Sequence, residues 1–72
     1  MAKAVRITLL LARNVRRLRE AKGMSQAALA ADSGLYQALI SQIENELANP
    51  ELDTLERLAA ALGVHPRDLL DG

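Results

Sequence analysis

Apolar residues recur at helical spacing along most of the chain. In the stretch RITLLLARNVRRLREAK, Leu11, Val15 and Leu18 follow one another at intervals of four and three, with arginines on the opposite side. This spacing predicts an amphipathic helix that ends at Gly23, since glycine readily adopts the left-handed conformation of a helix C-cap. The alternation in VRITL also fits a strand over Val5 to Leu9, as a second interpretation, with residues 1–7 as an extended N-terminal segment.

Four more helical segments follow, separated by glycine and proline. Ser25 is a natural N-cap for a second helix, which Gly34 ends, and YQALISQIEN forms a third. The fourth, NPELDTLERLAAALG, ends at Gly63, and the fifth, VHPRDLL, carries Pro66 in its first turn, where proline is favoured. The expected inward positions are Leu29, Ala30, Leu39 or Ile40, Ile43, Leu52, Leu55, Leu58, Ala59 and Leu62. The pattern predicts an all-α fold, a compact five-helix single domain over residues 1–72.

The composition restricts the possible functions of the chain more than it restricts the possible folds. The chain has 72 residues, half of them apolar, with no cysteine and one histidine. These numbers predict a small domain with a thin core, whose stability leans on a partner or a second copy. Without cysteine, a second histidine or a glycine-rich phosphate loop, we expect no catalysis, no metal site and no cofactor. His65, beside Pro66, is expected to cap a helix.

The apolar run ITLLLA, residues 7–12, does not indicate a membrane protein. It lies between two arginines and is far too short to span a bilayer. It is followed by RNVRRLRE instead of the small residues of a signal-peptide cleavage site. The sequence therefore predicts a cytoplasmic protein with no membrane partner.

Charge is divided unevenly along a chain whose formal net charge is zero. Residues 1–24 hold seven lysines and arginines against one acidic residue, whereas residues 25–72 hold two against eight. Such a division is typical of a protein that binds an anionic partner at one end. It fits equally well an attraction between the two halves of the chain, or between neighbouring subunits.

The middle of the chain has the positions that a helix-turn-helix needs. Ala30 is small where the second and third helices approach, and Gly34 opens the turn between them. Leu35, Ile40 and Ile43 are apolar and anchor the third helix. The second helix of such a unit can enter the major groove of DNA.

With these positions, the chain resembles the lambda-repressor and Cro helix-turn-helix family, also called the xenobiotic-response-element family. The resemblance rests on LREAKGMSQAALA, the glycine at 34, ISQIE, the NP at 49–50, and LGV followed by LL. It runs without a gap from about Leu11 to Leu70. It implies a sequence-specific DNA-binding transcriptional regulator whose partner is double-stranded DNA.

The resemblance also implies roles for individual residues. The positions that read base edges are Gln37, Ala38, Ser41 and Gln42. The candidate phosphate contacts are Gln26, Tyr36, Asn45 and Arg13. Arg19 and Glu44 stand where relatives place an ion pair between the first helix and the recognition helix. A glutamine can form paired hydrogen bonds with adenine, whereas Ala38 offers only methyl contact.

Several positions depart from the family pattern. Tyr36 replaces the serine or threonine that usually caps the recognition helix, and its ring either reaches a phosphate or covers the edge of the core. Glu46 replaces a common glycine, and we expect its loop to repel phosphate. Residues 25–45 contain no lysine or arginine. The attraction to DNA must then come from Lys3, Arg6, Arg13, Arg16, Arg17 and Lys22.

Apolar residues near both ends are candidates for a dimer interface. Related domains often pair through the C-terminal helix, where the candidates are Leu62, Val64, Leu69 and Leu70. Leu9 and Leu10 form a rival surface. Paired recognition helices about 34 Å apart read a palindrome with half-sites one turn apart.

Two functions remain open at this point. The first is a homodimeric repressor, whether a phage-type repressor, a controller of restriction-modification genes or a toxin-linked antitoxin. The second is a protein-interaction module of the same fold, with a toxin or an RNA polymerase subunit as its partner. The acidic loop after the third helix favours the second function, and the amides at Gln26, Gln37, Gln42 and Asn45 favour the first.

Overall fold

The structure, a computed structural model, describes residues 6–72. Its elements are α1 Ile7–Ala21, α2 Gln26–Ser33, α3 Gln37–Glu44, α4 Leu52–Leu62 and a 3₁₀ helix Pro66–Leu69. No strand occurs within these residues, which confirms the all-α prediction for the described range. None of these helices is long and apolar enough to cross a membrane.

Helix α1 begins earlier than an extended N-terminal segment would allow. Arg6 is extended, with φ −82° and ψ 106°, and the helix starts at Ile7. The extended interpretation is therefore wrong from Ile7 onwards, because the helix that packs Leu11 and Val15 into the core continues back to that residue. Residues 1–5, which include Lys3, lie outside the described residues.

The predicted fifth α-helix is a single 3₁₀ turn. His65 Nδ1 accepts a hydrogen bond from the backbone N–H of Arg67 at 3.0 Å. The carboxylate of Asp68 accepts one from the backbone N–H of His65, also at 3.0 Å. This reciprocal cap, with Pro66 in the first turn, starts a helix that ends after four residues. The count is corrected to four α-helices and one 3₁₀ helix, and the capping role of His65 is confirmed.

One hydrophobic core joins all five elements. Its fully buried side chains are Val15, Leu29, Ile40, Ile43, Leu58 and Leu69. Leu18, Leu39 and Leu55 are partly buried against it, so nearly all the predicted inward positions are confirmed. Leu52 is the exception, with 77% of its surface exposed. It occupies the first position of α4, before the stripe of Leu58, Ala59 and Leu62 reaches the core.

Two of the C-terminal leucines proposed for a dimer interface lie inside this core. Leu62 is 4% exposed and Leu69 is 0% exposed. They are buried because the 3₁₀ helix folds back onto α4 and α1, so the monomer itself uses this apolar surface. A second copy cannot reach them, which corrects that part of the prediction. Val64 and Leu70 keep part of their surface exposed.

The polar side chain of Asn14 ties the C-terminal residues to α1. It is 7% exposed, and its Nδ2 donates to the carbonyl oxygens of Leu69 at 3.0 Å and Asp71 at 2.9 Å. Arg17 donates to Asn14 Oδ1 at 3.3 Å. These contacts hold one flank of α1 against the C-terminal residues and leave the other flank for α3.

Candidate nucleic-acid interface

Local hydrogen bonds set the path of the chain from α2 into α3. Ser25 Oγ caps α2 by accepting a hydrogen bond from the N–H of Ala28 at 3.0 Å. Gly34 ends α2 in the left-handed conformation, with φ 71° and ψ 24°. The next N–H, from Leu35, donates to the carbonyl of Ala30 at 3.0 Å. The sequence therefore forms a helix-turn-helix, because both ends of its turn are specified by residues suited to them.

The inner face of α3 carries the helix's one charged side chain. The Glu44 side chain is 0% exposed, and Arg19 holds both of its oxygens, with Nε at 2.7 Å from Oε2 and Nη2 at 3.0 Å from Oε1. Gln26 Nε2 and Arg16 Nε each donate to Oε1 at 3.3 Å. Arg19 Nη1 also donates to the carbonyl of Met24 at 2.8 Å. One carboxylate thus fastens α3 to α1 and to the first residue of α2.

The hydrogen bonds outweigh burial in setting the protonation of Glu44. Burial on its own raises the pKa of a carboxyl group, but the bonds from Arg19, Gln26 and Arg16 hold the pKa of Glu44 below its ordinary value. The hydrogen bond with Glu44 raises the pKa of Arg19. Both groups are therefore charged at neutral pH, and the acidic residue of α3 is neutralised inside the protein.

The outer face of α3 is exposed and uncharged. Gln37, Ala38 and Gln42 are exposed, and Ser41 is partly buried beside them. The two glutamines lie five positions apart on a helix of eight residues, with the alanine between them. The structure thus brings together, on one accessible surface, the four residues that the sequence predicted as base readers.

Asn45 is exposed and is turned back onto α3. Its Nδ2 donates to the carbonyl of Ser41 at 2.8 Å and lies 3.4 Å from Ser41 Oγ. One N–H of this amide is therefore occupied within the helix. A second N–H remains for another acceptor, because an amide nitrogen carries two.

Tyr36 stands at the N-terminal end of α3 with 85% of its surface exposed. The ring does not cover the edge of the core, which excludes one of the two interpretations of this residue. Tyr36 is the N-cap, and its side chain makes no capping hydrogen bond. Within residues 6–72, the N–H groups of Gln37 and Ala38 accordingly have no backbone acceptor. Such free N–H groups at a helix start attract anions.

The exposed cationic side chains of α1, and Lys22 just after it, lie in two different places. Arg13 and Arg16 line a shallow depression with Glu44 and Glu46, beside the C-terminal end of α3. Arg17 instead bonds to Asn14, and Lys22 lies 3.4 Å from the carbonyl of Ala61. Only the first pair lies at the edge of the exposed surface of α3.

Arg6 joins that edge through an ion pair with Glu46. Glu46 follows α3 and has a positive φ of 61°, the conformation that favours glycine. A glycine, the residue that the family resemblance implies at this position, would adopt this backbone without strain. The sequence alone suggested that Glu46 presents an unpaired negative charge. In the structure its charge is paired with Arg6.

Several known proteins that are similar to this chain are helix-turn-helix transcriptional regulators. The profile of the family described as Helix-turn-helix matches residues 15–69, which is most of the chain. The chain belongs to the helix-turn-helix family. The suspected membership is confirmed, and with it a role in DNA binding and transcriptional regulation.

The similar helix-turn-helix proteins include two controllers and one DNA complex. Control protein C.BamHI of Bacillus amyloliquefaciens is 46% identical over 66 residues, which cover 90% of this chain and 82% of that protein. The restriction-modification controller protein C.AhdI of Aeromonas hydrophila has a crystal structure with a TM-score of 0.83 and 37% identity, covering 86% of this chain and 94% of that one. The structure of SinR, the master regulator for biofilm formation, in complex with DNA gives a TM-score of 0.81 and 34% identity, covering 85% and 98%.

Three contacts in this helix-turn-helix chain were not predicted from its sequence. Arg16 joins the ion pair around Glu44, Arg6 pairs with Glu46, and Asn14 ties down the C-terminal residues. The first had a local signal, because Arg16 and Arg19 are three positions apart on one helix. The other two join residues 40 to 57 positions apart, and no local pattern signals them.

Proposed function

We propose that this chain is a sequence-specific repressor that binds a palindromic operator as a homodimer, with α3 in the major groove. The observation that carries the proposal is the division of α3 into an exposed amide face and an inner face locked by Glu44. A helix held so firmly from behind can present side chains to bases without losing its own position. The similarity to two controller proteins supports a role in controlling restriction-modification genes.

Base reading falls to the outer face of α3. Gln37 and Gln42 are exposed and carry both a donor and an acceptor, the pair of groups that adenine N7 and N6 require. Ala38 lies between them and suits the methyl group of thymine. Ser41 contributes a hydroxyl whose O–H is available to donate, because Asn45 donates to its oxygen.

Phosphate binding falls to residues at the two ends of α3. Tyr36 and the free N–H groups beside it serve the N-terminal end. The other proposed phosphate contacts around α3 are Gln26, Asn45 and Arg13. Gln26 also donates a hydrogen bond to Glu44. Because so few of these groups are charged, binding releases about two to four counterions per monomer, and affinity falls only gently with salt.

A second copy of the chain fits an apolar groove between α4 and the 3₁₀ helix. The groove is lined by Leu52, Leu55, Glu56, Pro66, Arg67 and Leu70. Leu52 is 77% exposed and lies in this groove, so a second copy would cover it. Glu56 and Arg67 place opposite charges on its rim, so a two-fold axis through the groove brings unlike charges together across the interface. This surface replaces the buried Leu62 and Leu69 in the proposed dimer.

Two measurements test the function. Fluorescence anisotropy with the DNA upstream of the chain's own gene, against a shuffled duplex at low and physiological salt, should show tight binding to the upstream DNA alone. Equal, salt-sensitive binding to both duplexes would contradict sequence-specific reading. No binding at all would instead favour the protein-interaction module, with the groove as its docking surface.

The second measurement is the mass of the protein in solution by sedimentation equilibrium. The wild type should sediment as a dimer, and Leu52→Glu should sediment as a monomer, because a buried unpaired charge disfavours the interface. Leu47→Glu is the matched control, since Leu47 is 76% exposed but does not line the groove. Loss of the dimer in both variants, or in neither, would place the interface elsewhere.

A further inference from the structure

Glu46 occupies a backbone conformation that a glutamate disfavours. It is the one residue other than glycine with a positive φ in residues 6–72. The Cβ of an L-residue crowds the following carbonyl there, a penalty that glycine avoids. A side chain kept at such a position needs a compensating interaction.

That interaction is the ion pair with Arg6. The two residues are 40 positions apart, and the pair joins the N-cap of α1 to the loop that follows α3. The Glu46 side chain is 27% exposed, whereas the Arg6 side chain is 67% exposed. The guanidinium carries five N–H donors, so most of them remain directed at solvent while one holds Glu46.

The depression beside this pair is rimmed by cations whose acidic neighbours are already satisfied. It is lined by Leu9, Ala12, Arg13, Arg16, Glu44 and Glu46. Glu44 accepts bonds from three side chains, and Glu46 is paired with Arg6. Arg13 makes no salt bridge within the described residues and is exposed. The free donors at this edge therefore belong to Arg6 and Arg13, together with the remaining N–H groups of Arg16, whose Nε is held by Glu44.

We infer that Arg6 and Arg13 form a phosphate-binding site beside the C-terminal end of α3, and that Glu46 positions Arg6 for it. The inference rests on the proposed function, because a helix lying in the major groove brings the flanking sugar-phosphate backbone past its ends. It supplies the positive charge that residues 25–45 lack, from a part of the chain far away in sequence. Glu46, an acidic residue next to DNA, then strengthens binding.

A double-mutant cycle of Glu46→Gln and Arg6→Ala tests this inference on the upstream duplex that the wild type binds. Each single variant should weaken binding by roughly three- to tenfold and lower the slope of log K against log salt by about one phosphate contact. The double variant should be no weaker than either single variant, because both remove the same contact. Arg13→Ala should add its own loss to that of either variant.

Two control variants distinguish the positioning of Arg6 by Glu46 from a general effect of removing a charge and from an effect on folding. Asp71→Asn also removes one carboxylate, but from an exposed residue on the flank of α1 away from α3, and should leave binding unchanged. Glu46→Gly relieves the backbone and should keep or raise the melting temperature, yet weaken binding as Glu46→Gln does.

The result that overturns the inference is tighter binding and a steeper salt dependence in Glu46→Gln, since Glu46 would then be withholding Arg6 from DNA. A wild type that discriminates no duplex would remove the proposed function together with this site. Tighter binding by Glu46→Gln on a duplex that the wild type does discriminate removes the site alone.

Discussion

The two faces of α3 differ in how their polar groups are satisfied. On the inner face, Glu44 is fully buried and accepts hydrogen bonds from Arg16, Arg19 and Gln26. On the outer face, Gln37 and Gln42 are exposed and make no side-chain hydrogen bond within the described residues. The carboxylate on the inner face is already hydrogen-bonded within the protein, whereas the amides of the two glutamines on the outer face are available to another molecule.

In the proposed function, one face of α3 fixes the position of the helix and the other face recognises bases. Charge works best where water is excluded and the partner is fixed, as at Glu44. Neutral amides work best where the partner varies and must be discriminated, because an unmatched amide is penalised without a strong non-specific attraction. The proposed function then assigns the charge that attracts DNA to α1 instead of α3.

The largest effect should come from breaking the inner face. Glu44→Ala leaves Arg19, whose side chain is 14% exposed, without its partner carboxylate and should lower the free energy of unfolding by about 3 kcal/mol. Urea denaturation followed by circular dichroism measures this. Asp53→Ala, which breaks an exposed pair with Arg57 at 2.9 Å, is the control and should change stability by less than about 0.5 kcal/mol. Similar losses of stability in both variants would mean that the buried network around Glu44 stabilises the fold no more than an exposed ion pair does.

The outer face should affect binding and leave stability alone. Gln37→Ala and Gln42→Ala should each reduce discrimination between operator and shuffled DNA by about 1–3 kcal/mol, the value of a paired base contact. Their free energy of unfolding should stay within about 0.5 kcal/mol of the wild type, since both side chains are exposed. Anisotropy titrations and urea melts of the same samples test both statements. A variant that loses stability along with discrimination would show that the two faces are not separate.

Protonation of Glu44 in acid should lower the free energy of unfolding by less than the substitution Glu44→Ala does. The pKa of Glu44 is lowered in the folded protein, so its contribution is fully present above the ordinary pKa of a glutamate and is lost as pH falls through the lower folded value. The effect is smaller than that of Glu44→Ala because a protonated carboxyl still fills its site. Urea melts from pH 7 down to pH 2 should show a larger decline in stability for the wild type than for Glu44→Gln. Identical pH profiles would contradict the lowered pKa.

The smallest effect should be on salt dependence. Arg13→Ala should reduce the slope of log K against log salt by about 0.9, the value of one phosphate contact, and weaken operator and shuffled DNA alike. Arg17→Ala is the matched control, because Arg17 donates to Asn14 and does not line the depression beside α3. An equal change in both variants would mean that α1 attracts DNA by its overall charge.

Local patterns predicted most of the fold, whereas the candidate site residues came from the resemblance to a family. The helical spacing, Ser25 and Gly34 specified α1, α2 and the turn, because each acts on backbone within a few residues of itself. The exposed position of Leu52 was missed, since a periodic pattern says which face is apolar and not whether another element reaches it.

Long-range contacts were the part that sequence reasoning missed. Glu46 read as an unpaired acid because its partner, Arg6, lies 40 positions away. Leu62 and Leu69 read as a surface for a second copy because their coverage depends on how the 3₁₀ helix folds back. The resemblance to a family supplied the pair of Arg19 and Glu44, which no local spacing indicates.

The central claim is that base reading and charge attraction reside on different helices, and one crossed measurement tests it most directly. Operator affinity, shuffled-DNA affinity and salt slope would be measured for the double variant Gln37→Ala with Gln42→Ala, and for Arg13→Ala. The account predicts that the glutamine variant loses the ratio of operator to shuffled affinity and keeps its salt slope, while Arg13→Ala keeps the ratio and loses slope. Ratio and slope falling together in both variants would contradict it.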